Sequence, residues 1–300
     1  MHSQLGISQI IMAELVSVVI PTRNRCVRLT QAIASVQSQT NVRVEIIVVD
    51  DASEDDTQAV VLGLAEEDPR IRYIRNDAAA GGGASRNIGA KKARGEFIAF
   101  LDDDDEFLPK KLEKQLALLR SNGHASAASC GFYVIRRFHF SKTKLLRVPF
   151  DRTELLSANI LGGASVCMVR TTAFWAVGGF DPLLRSAQDW DVWLKLLRFG
   201  PIVVCDEPLV RYHFHSDGQI TGNRVAEYLG RRSIHVRYRK EMTDATRRGS
   251  LVALIFSRNV LFQTAYQRRL RGLFFVIKIA SVRDKFRYFR RAMSLCLPDF

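Results

Sequence analysis

The first hundred residues alternate between two hydrophobic periodicities. Apolar, β-branched runs predict four strands, at residues 16–20, 44–49, 71–74 and 97–101. Between them, apolar residues recur at helical spacing, around residues 29–37, 57–65 and 86–93. Strands that alternate with helices predict β-α-β units and a parallel sheet. The runs VEIIVV and FIAFL are apolar throughout, as strands buried on both faces require.

Polar residues collect where each predicted strand ends. The segments that follow the strands are PTRN at 21–24, DDAS at 50–53, Asp77 with the glycines 81–83, and DDDDE at 102–106. A turn or a helix cap explains each segment alone. In an open α/β sheet, however, ligands bind beyond the carboxyl ends of the strands. Four such segments together therefore indicate a binding site at this edge.

Much of the charge at this edge is negative, and a bare acidic edge would repel a nucleotide. A divalent cation resolves the conflict, because Mg²⁺ and Mn²⁺ bind through one or two carboxylates together with substrate phosphates. Asp102 and Asp104 are suitably spaced for this role. A solvated acidic loop and a calcium site are the alternatives, although the EF-hand glycine and distant glutamate are missing. The glycine run, which precedes a helix predicted to begin near Ser85, is equally compatible with a flexible loop and a phosphate-binding loop.

A second candidate carboxylate lies far along the chain. Asp189 opens a predicted helix in which Trp190, Trp193, Leu194 and Leu197 share one face. That periodicity favours a core position for the tryptophans over a sugar-binding platform. Asp189 can cap this helix, and the same position would hold an ionised carboxylate fixed for use as a base.

The net charge of +13 divides unevenly along the chain. Residues 1–220 contain 26 basic and 26 acidic side chains, whereas residues 221–300 contain 18 and 5. This basic region has helical patterns with apolar residues beside arginine. It can bind an anionic membrane surface, which we favour, or nucleic acid, or it can be a solvated helical face.

The five cysteines are scattered without a C-x-x-C motif. Neither a secretory signal nor an apolar segment long enough to span a membrane is evident. These features predict a cytoplasmic protein with reduced thiols.

The segments VSVVIPTRNR, EIIVVDDASEDDT, GGGASRNIGAKKARGEFIAFLDDDDEFLP, VGGFDPLL and QDWDVWLKL occur in this order within residues 16–217. In this they resemble family 2 glycosyltransferases with the GT-A fold. The resemblance implies an α/β fold with a mostly parallel, Rossmann-like sheet flanked by helices. It also implies a nucleotide-sugar donor, Mg²⁺ or Mn²⁺, and inversion at the anomeric carbon. The expected organisation is an extension (1–15), a donor-binding half (16–120), an acceptor-binding half of the same domain (121–220) and a basic α-helical C-terminal region (221–300).

The resemblance also implies roles for individual residues. The donor-binding residues would be Pro21, Thr22 and Asn24 beside the nucleobase, Asp51 on the base, Arg86 and Asn87 near the donor, and Asp102 and Asp103, the latter near the ribose. The metal would be held by Asp104, Asp102 and His215, with Asp104 as the direct ligand. Asp189 would be the catalytic base. Gln188 stands where the family usually has glutamate, so acceptor contacts are expected to differ.

Two functions follow as hypotheses. The first is a metal-dependent inverting hexosyl- or deoxyhexosyltransferase that uses a UDP- or dTDP-sugar and a glycan or lipid-linked acceptor in lipopolysaccharide or other cell-surface polysaccharide assembly. It would be peripheral on the inner face of the cell membrane. The alternative is an inactive GT-A protein that binds nucleotide and acts as a partner or scaffold. A nucleic-acid partner is not expected, because it would leave the acidic sheet edge unexplained.

Overall fold

A computed structural model describes residues 14–136, 139–144, 151–214 and 224–261. The strands of the described chain are β1 (Leu15–Thr22), β2 (Arg43–Asp50), β3 (Ile71–Arg75), β4 (Phe97–Phe100), β5 (Glu106–Phe107), β6 (Ala127–Arg136), β7 (His139–Lys144), β8 (Cys167–Arg170) and β9 (Ile202–Phe214). The helices are α1 (Cys26–Gln37), α2 (Thr57–Glu67), α3 (Gly82–Lys92), α4 (Lys111–Ser121), α5 (Arg152–Ser157), α6 (Thr171–Ala176), α7 (Gln188–Phe199), α8 (Arg224–Tyr238) and α9 (Asp244–Leu261).

The strands form one sheet in the order β3-β2-β1-β4-β8-β6-β9-β5, and β7 pairs with β6. The first four strands are parallel, which confirms the predicted β-α-β units. The second half mixes directions, because β8 runs antiparallel to both β4 and β6 while β6 and β9 are parallel. The carboxyl ends of β1, β2 and β4 therefore meet at one edge, as the sequence pattern predicts.

Burial of the central strands accounts for their uninterrupted apolar sequences. Residues 16–20 of β1 and 97–100 of β4 are buried on both faces of the sheet. Each fully buried valine or isoleucine contributes about 1.5–3 kcal/mol through removal of apolar surface from water. Helix α3 lies close to β1 and β2 because Gly89 has no side chain. A Cβ atom there would approach Val49 Cγ2 to 3.0 Å and Val19 more closely still.

Two helices begin earlier than the sequence predicts. Helix α3 begins at Gly82 rather than near Ser85, so two of the three glycines lie in its first turn. Gly81 precedes it with a φ of 88°, a left-handed conformation that favours glycine. Helix α7 begins at Gln188, so Asp189 lies in its first turn and is not its cap. The cap is Ala187, which has a φ of 60°.

The described part of the basic C-terminal region packs against the rest of the protein. Helix α8 contacts α7, and α9 contacts α8 and α5. Ile234, Tyr238 and Met242 from this region are buried. Residues 1–13, His215 and 262–300 lie outside the described chain, and with them most of the predicted N-terminal extension (1–15) and the end of the predicted basic region (221–300). Leu15, the last residue of the predicted extension, is the first residue of β1. Within the described residues, no helix combines the length and apolar character needed to cross a membrane.

Candidate active site

Three carboxylates converge in the loop that follows β4. One oxygen from each of Asp102, Asp104 and Asp105 lies within 4.8 Å of the others. Asp105 is 1% exposed and accepts hydrogen bonds from Ser165 Oγ at 2.6 Å and from the backbone N–H of His213 at 3.2 Å. Burial, together with the neighbouring carboxylates, raises the pKa of Asp105. Sequence reasoning selected Asp102 and Asp104 but missed Asp105, whose only signal is its place in the aspartate run.

Two arginines only partly offset this negative charge. Arg25 donates to Asp103 at 2.9 Å and to Asp104 at 3.1 Å, and Arg86 donates to Asp102. Burial raises the pKa of Asp103 to about 6, although Arg25 and the Thr22 hydroxyl, 2.8 Å away, favour its ionised form. The remaining carboxylate oxygens are hard ligands that suit Mg²⁺ or Mn²⁺. The residues therefore fit the divalent metal that the resemblance implies.

A cavity of about 400 Å³ adjoins the acidic loop at the carboxyl ends of β1 and β2. Six of the eight predicted donor-binding residues line it: Pro21, Thr22, Asp51, Arg86, Asp102 and Asp103. The predicted metal ligand Asp104 lines it as well, together with Arg23 and Arg25, which sequence reasoning did not select. This cavity is named the donor cavity below.

Asp51 fixes the glycine segment at the rim of the donor cavity. Its carboxylate accepts hydrogen bonds of 2.8 Å from the Asn76 amide and from the backbone N–H groups of Ala80 and Gly81. Burial alone would raise the pKa of Asp51, but these hydrogen bonds outweigh it and lower the pKa. Asp51 therefore holds the glycine segment in place, which argues against the flexible-loop alternative.

Asn24 and Asn87 do not line the donor cavity. Asn24 links two loops, because its side chain accepts from the Glu54 N–H at 2.7 Å. Asn87 donates to the Phe180 carbonyl at 2.7 Å and accepts from the Phe180 N–H at 3.0 Å. Both asparagines thus bond to the backbone of distant segments and do not face the cavity.

Asp189 lies in a second cavity, of about 440 Å³, which meets the donor cavity at Arg86 and Asp102. Burial raises the pKa of Asp189 to about 6, although the backbone N–H of Trp190 and the charge of Arg86 favour its ionised form. Such a pKa suits a general base near neutral pH. Asn159, which the sequence did not indicate, donates to Asp189 Oδ2 at 3.0 Å. This cavity is named the acceptor cavity below.

Gln188 lines the acceptor cavity and contacts Arg86, which lines both cavities. Its Oε1 accepts from Arg86 at 3.4 Å, and its amide lies against α3 at Gly83, where a Cβ would be 2.9 Å from Nε2. A neutral side chain at this position cannot form an ion pair with Arg86. Asp102 is therefore the direct carboxylate partner of that guanidinium in the described chain.

The wall of the acceptor cavity combines aromatic and charged side chains, and Tyr212 also lines the donor cavity. Phe132 and Tyr212 pack with ring centroids 5.8 Å apart, and Trp190 lies beside Asp189. Trp190 is 5% exposed and Trp193 fully buried, which confirms their core positions. Glu227 and Arg231 of α8, an ion pair at 3.0 Å, complete this wall. Sequence reasoning missed both, because it treated this region only as a surface.

The mixed sheet, with an acidic loop after its fourth strand, has the GT-A fold of solved glycosyltransferases. S. aureus TarS (residues 1–349, in complex with UDP-GlcNAc) superposes with a TM-score of 0.66 at 18% identity, covering 89% of this chain and 82% of that one. The mannosyltransferase PcManGT from Pyrobaculum calidifontis, in complex with GDP-Man and Mn²⁺, gives a TM-score of 0.64 at 15% identity, covering 95% and 81%. At these identities the likeness shows the fold alone, and it confirms the predicted fold class.

The chain belongs to glycosyl transferase family 2, whose model matches residues 17–176. The putative colanic acid biosynthesis glycosyl transferase WcaA of Escherichia coli is 31% identical over 82% of this chain and 88% of its own length. A GalNAc(5)-diNAcBac-PP-undecaprenol beta-1,3-glucosyltransferase of Campylobacter jejuni is 50% identical over 93 residues, 31% of this chain and 30% of its own. The match covers only about a third of some longer Rickettsia glycosyltransferases (35% and 34%).

Proposed function

We propose that this glycosyltransferase is a metal-dependent inverting enzyme that transfers a hexosyl or deoxyhexosyl group from a UDP- or dTDP-sugar. The observation that carries the proposal is the meeting of the two cavities at Arg86 and Asp102. The donor cavity carries the acidic cluster, and the acceptor cavity carries Asp189. A sugar held at the junction would have the diphosphate on one side and the acceptor on the other, as a single in-line displacement requires.

In this mechanism Asp189 removes the proton of an acceptor hydroxyl. The hydroxyl oxygen attacks the anomeric carbon, so a glycosidic bond forms while the sugar–phosphate bond breaks and the nucleoside diphosphate leaves. The half-buried Arg86 lines both cavities, where it is placed to stabilise charge on the departing diphosphate. A divalent cation held by Asp102, Asp104 and Asp105 would supply Lewis-acid stabilisation of the same charge. His215, outside the described residues, stays a predicted additional ligand.

The acceptor we propose is a glycan or a lipid-linked glycan in cell-surface polysaccharide or lipopolysaccharide assembly. Two similarities support it: one to a putative colanic acid transferase and one to a transferase whose acceptor is linked to undecaprenol through a diphosphate. Tyr212, a partly exposed aromatic residue of the acceptor cavity, supports it as well, because an aromatic face provides apolar surface for a sugar ring.

A peripheral position on the inner face of the cell membrane fits helix α8. Val225, Leu229 and Val236 are 56%, 48% and 52% exposed and share one face of the helix. Arg232 lies on that same face, and Arg239 and Lys240 follow at its end, all exposed. Each basic residue near an anionic surface contributes about 1 kcal/mol. Vesicle flotation tests this: binding should require anionic lipid and weaken in salt, and binding that ignores both would contradict it.

A donor screen tests the proposed activity. Purified protein with Mn²⁺ or Mg²⁺ is mixed with a panel of nucleotide sugars, and nucleotide release and thermal stabilisation are measured. We expect Asp189→Asn to lower release about 10²–10⁴-fold while sparing donor binding, since it removes the general base. Asp104→Ala should weaken donor binding only when metal is present. The exposed Asp206→Asn, which lies outside both cavities, is the matched control and should change neither.

Near-full activity of Asp189→Asn would show that the base assignment is wrong. Metal-dependent donor binding without any nucleotide release, under all donors and metals, would favour the alternative of an inactive nucleotide-binding partner. Absence of donor binding with or without metal would contradict both.

A further inference from the structure

Asn159 contacts the proposed base and has no role in the mechanism above. It lies in the loop between α5 and a 3-10 turn at Ala164–Val166. Its Nδ2 donates to Asp189 Oδ2 and to the Gly162 carbonyl, both at 3.0 Å, and its Oδ1 accepts from the Gly162 N–H at 3.2 Å. A backbone N–H only donates, so the amide oxygen must face it. The NH₂ group is thereby directed at Asp189.

The loop that carries Asn159 is fixed by buried aromatic side chains. Gly162 has a φ of 103°, and a Cβ there would lie 3.0 Å from the Phe132 ring. The Gly162 carbonyl also accepts from Trp193 Nε1 at 3.3 Å. Phe132 is 8% exposed and Trp193 is fully buried. The position of the Asn159 amide is therefore set by the core and not by the surface.

We propose that Asn159 is a positioning residue for Asp189: its NH₂ group holds one carboxylate oxygen and favours the ionised form that accepts the acceptor proton. This inference rests on the proposed function, because it requires that Asp189 is the base. A hydrogen bond to the charged form of a carboxyl group lowers its pKa. Asn159 thus opposes the desolvation that keeps Asp189 partly protonated.

The other groups around Asp189 come from separate elements. Arg86 of α3 favours the ionised carboxylate and Asp102 opposes it. Asp105, Tyr212 and the ion pair between Glu227 and Arg231 line the same cavity. Asn159→Ala removes none of these side chains and adds no charge, so a change in the titration of Asp189 in that variant can be attributed to the lost donor.

Asn159→Asp is the variant for which the larger shift in the pH profile is expected. It keeps an oxygen that can accept from the Gly162 N–H, removes the donor and places a second carboxyl group beside Asp189. Two interacting carboxyl groups titrate as a coupled pair with one raised pKa. We expect the acid limb of nucleotide release to move up by at least about one pH unit, with activity recovered at higher pH. Asn159→Ala should move it upward by less.

Two readouts separate this inference from the proposed function. The pH profile of nucleotide release is measured at saturating donor, and the titration of ¹³C-carboxyl-labelled aspartate is followed by NMR, with Asp189→Asn used to assign the signal. The exposed Asn122→Asp, which adds the same charge elsewhere, should leave both unchanged.

An Asp189 titration that Asn159→Ala leaves unmoved would overturn the inference, whatever shift the added charge of Asn159→Asp causes, and would leave the base assignment intact. Full activity of Asp189→Asn would overturn the base assignment itself. If Asn159→Asp does not fold, Asn159→Ala with the NMR titration decides the question.

Discussion

Replacing Lys111 by methionine should stabilise the protein, although it removes a charged residue. Lys111 is the first residue of α4 and is fully buried, and among the described residues its Nζ has no hydrogen-bond partner. The ammonium group lies 3.8 Å from the centroid of the Phe107 ring. Burial lowers the pKa of Lys111 to about 8. Methionine has an unbranched side chain of similar length that can occupy the same space without a charge.

The size of the effect follows from the difference in pKa. An exposed lysine in the unfolded chain has a pKa of about 10.4, so the pKa of Lys111 is about 2.4 lower in the folded state than in the unfolded state. At pH 7 the charge therefore costs about 3 kcal/mol of folding free energy. The contact with Phe107 offsets about 1–2 kcal/mol of this, and that contact is lost in the variant. We expect Lys111→Met to raise the free energy of unfolding by about 1–2 kcal/mol at pH 7.

The pH dependence gives the sharper test. The cost is complete below pH 8 and disappears as the pH rises toward 10.4, because the lysine is then neutral in both states. Urea unfolding of wild type and Lys111→Met at pH 7 and 9.5 should show the difference between them shrinking by about 2 kcal/mol. The exposed Lys110→Met is the control and should stay within about 0.5 kcal/mol of wild type at both pH values. A gap between Lys111→Met and wild type that does not change with pH would refute the reasoning.

Three further predictions concern catalysis and packing. Because burial raises the pKa of Asp189 to about 6, nucleotide release should fall about tenfold per pH unit below that value; a flat acid limb would argue against Asp189. Gly89→Ala should cost about 1–3 kcal/mol in urea unfolding by overpacking α3 on β1, whereas Gly63→Ala, with nothing within 4 Å, should gain about 1. Because Arg231 lines the acceptor cavity, Arg231→Ala should slow sugar transfer to p-nitrophenyl glycoside acceptors more than it slows hydrolysis of the donor by water. Equal slowing of the two reactions would exclude a role for Arg231 in acceptor binding.

The sequence predicts those parts of the site that depend on local structure. Asp51 and Asp102 follow buried strands, and the ends of parallel strands must share an edge, so their convergence follows from the pattern alone. The directions of the side chains within the acidic loop cannot be predicted from the sequence of the loop itself. Asp105 points into the protein because Ser165, 60 positions away, donates to it. Nothing in the aspartate run itself distinguishes it from its neighbours.

Contacts between distant segments account for the remaining differences. Arg25 and Asp103 are 78 positions apart, and Asn159 and Asp189 are 30 apart, so neither pair leaves a periodic signal. Asn87, conversely, occupies a position that the resemblance places near the donor. Its side chain instead bonds twice to the backbone of Phe180. The sequence predicts which strand or helix end carries a residue, but the direction of its side chain depends on its tertiary partner.

Helix α8 is the element whose role changes most between sequence and structure. Its basic and apolar composition predicts a surface helix, and Val225, Leu229 and Val236 are indeed exposed. About 180° around the helix, Glu227 and Arg231 face the acceptor cavity.

Helix α8 is joined to α7, which carries the proposed base, through a buried carboxylate. Tyr238 donates to Asp191 at 2.8 Å and Arg237 donates to it at 2.7 Å, two residues from Asp189. A rigid helix with one face in the acceptor cavity and the other exposed fixes the distance between the two. If the exposed face binds lipid, as proposed, the acceptor cavity lies one helix diameter from the membrane surface, about 10–12 Å. A lipid-linked acceptor could then enter without leaving the bilayer, which explains why a basic, apolar helix forms a wall of the site.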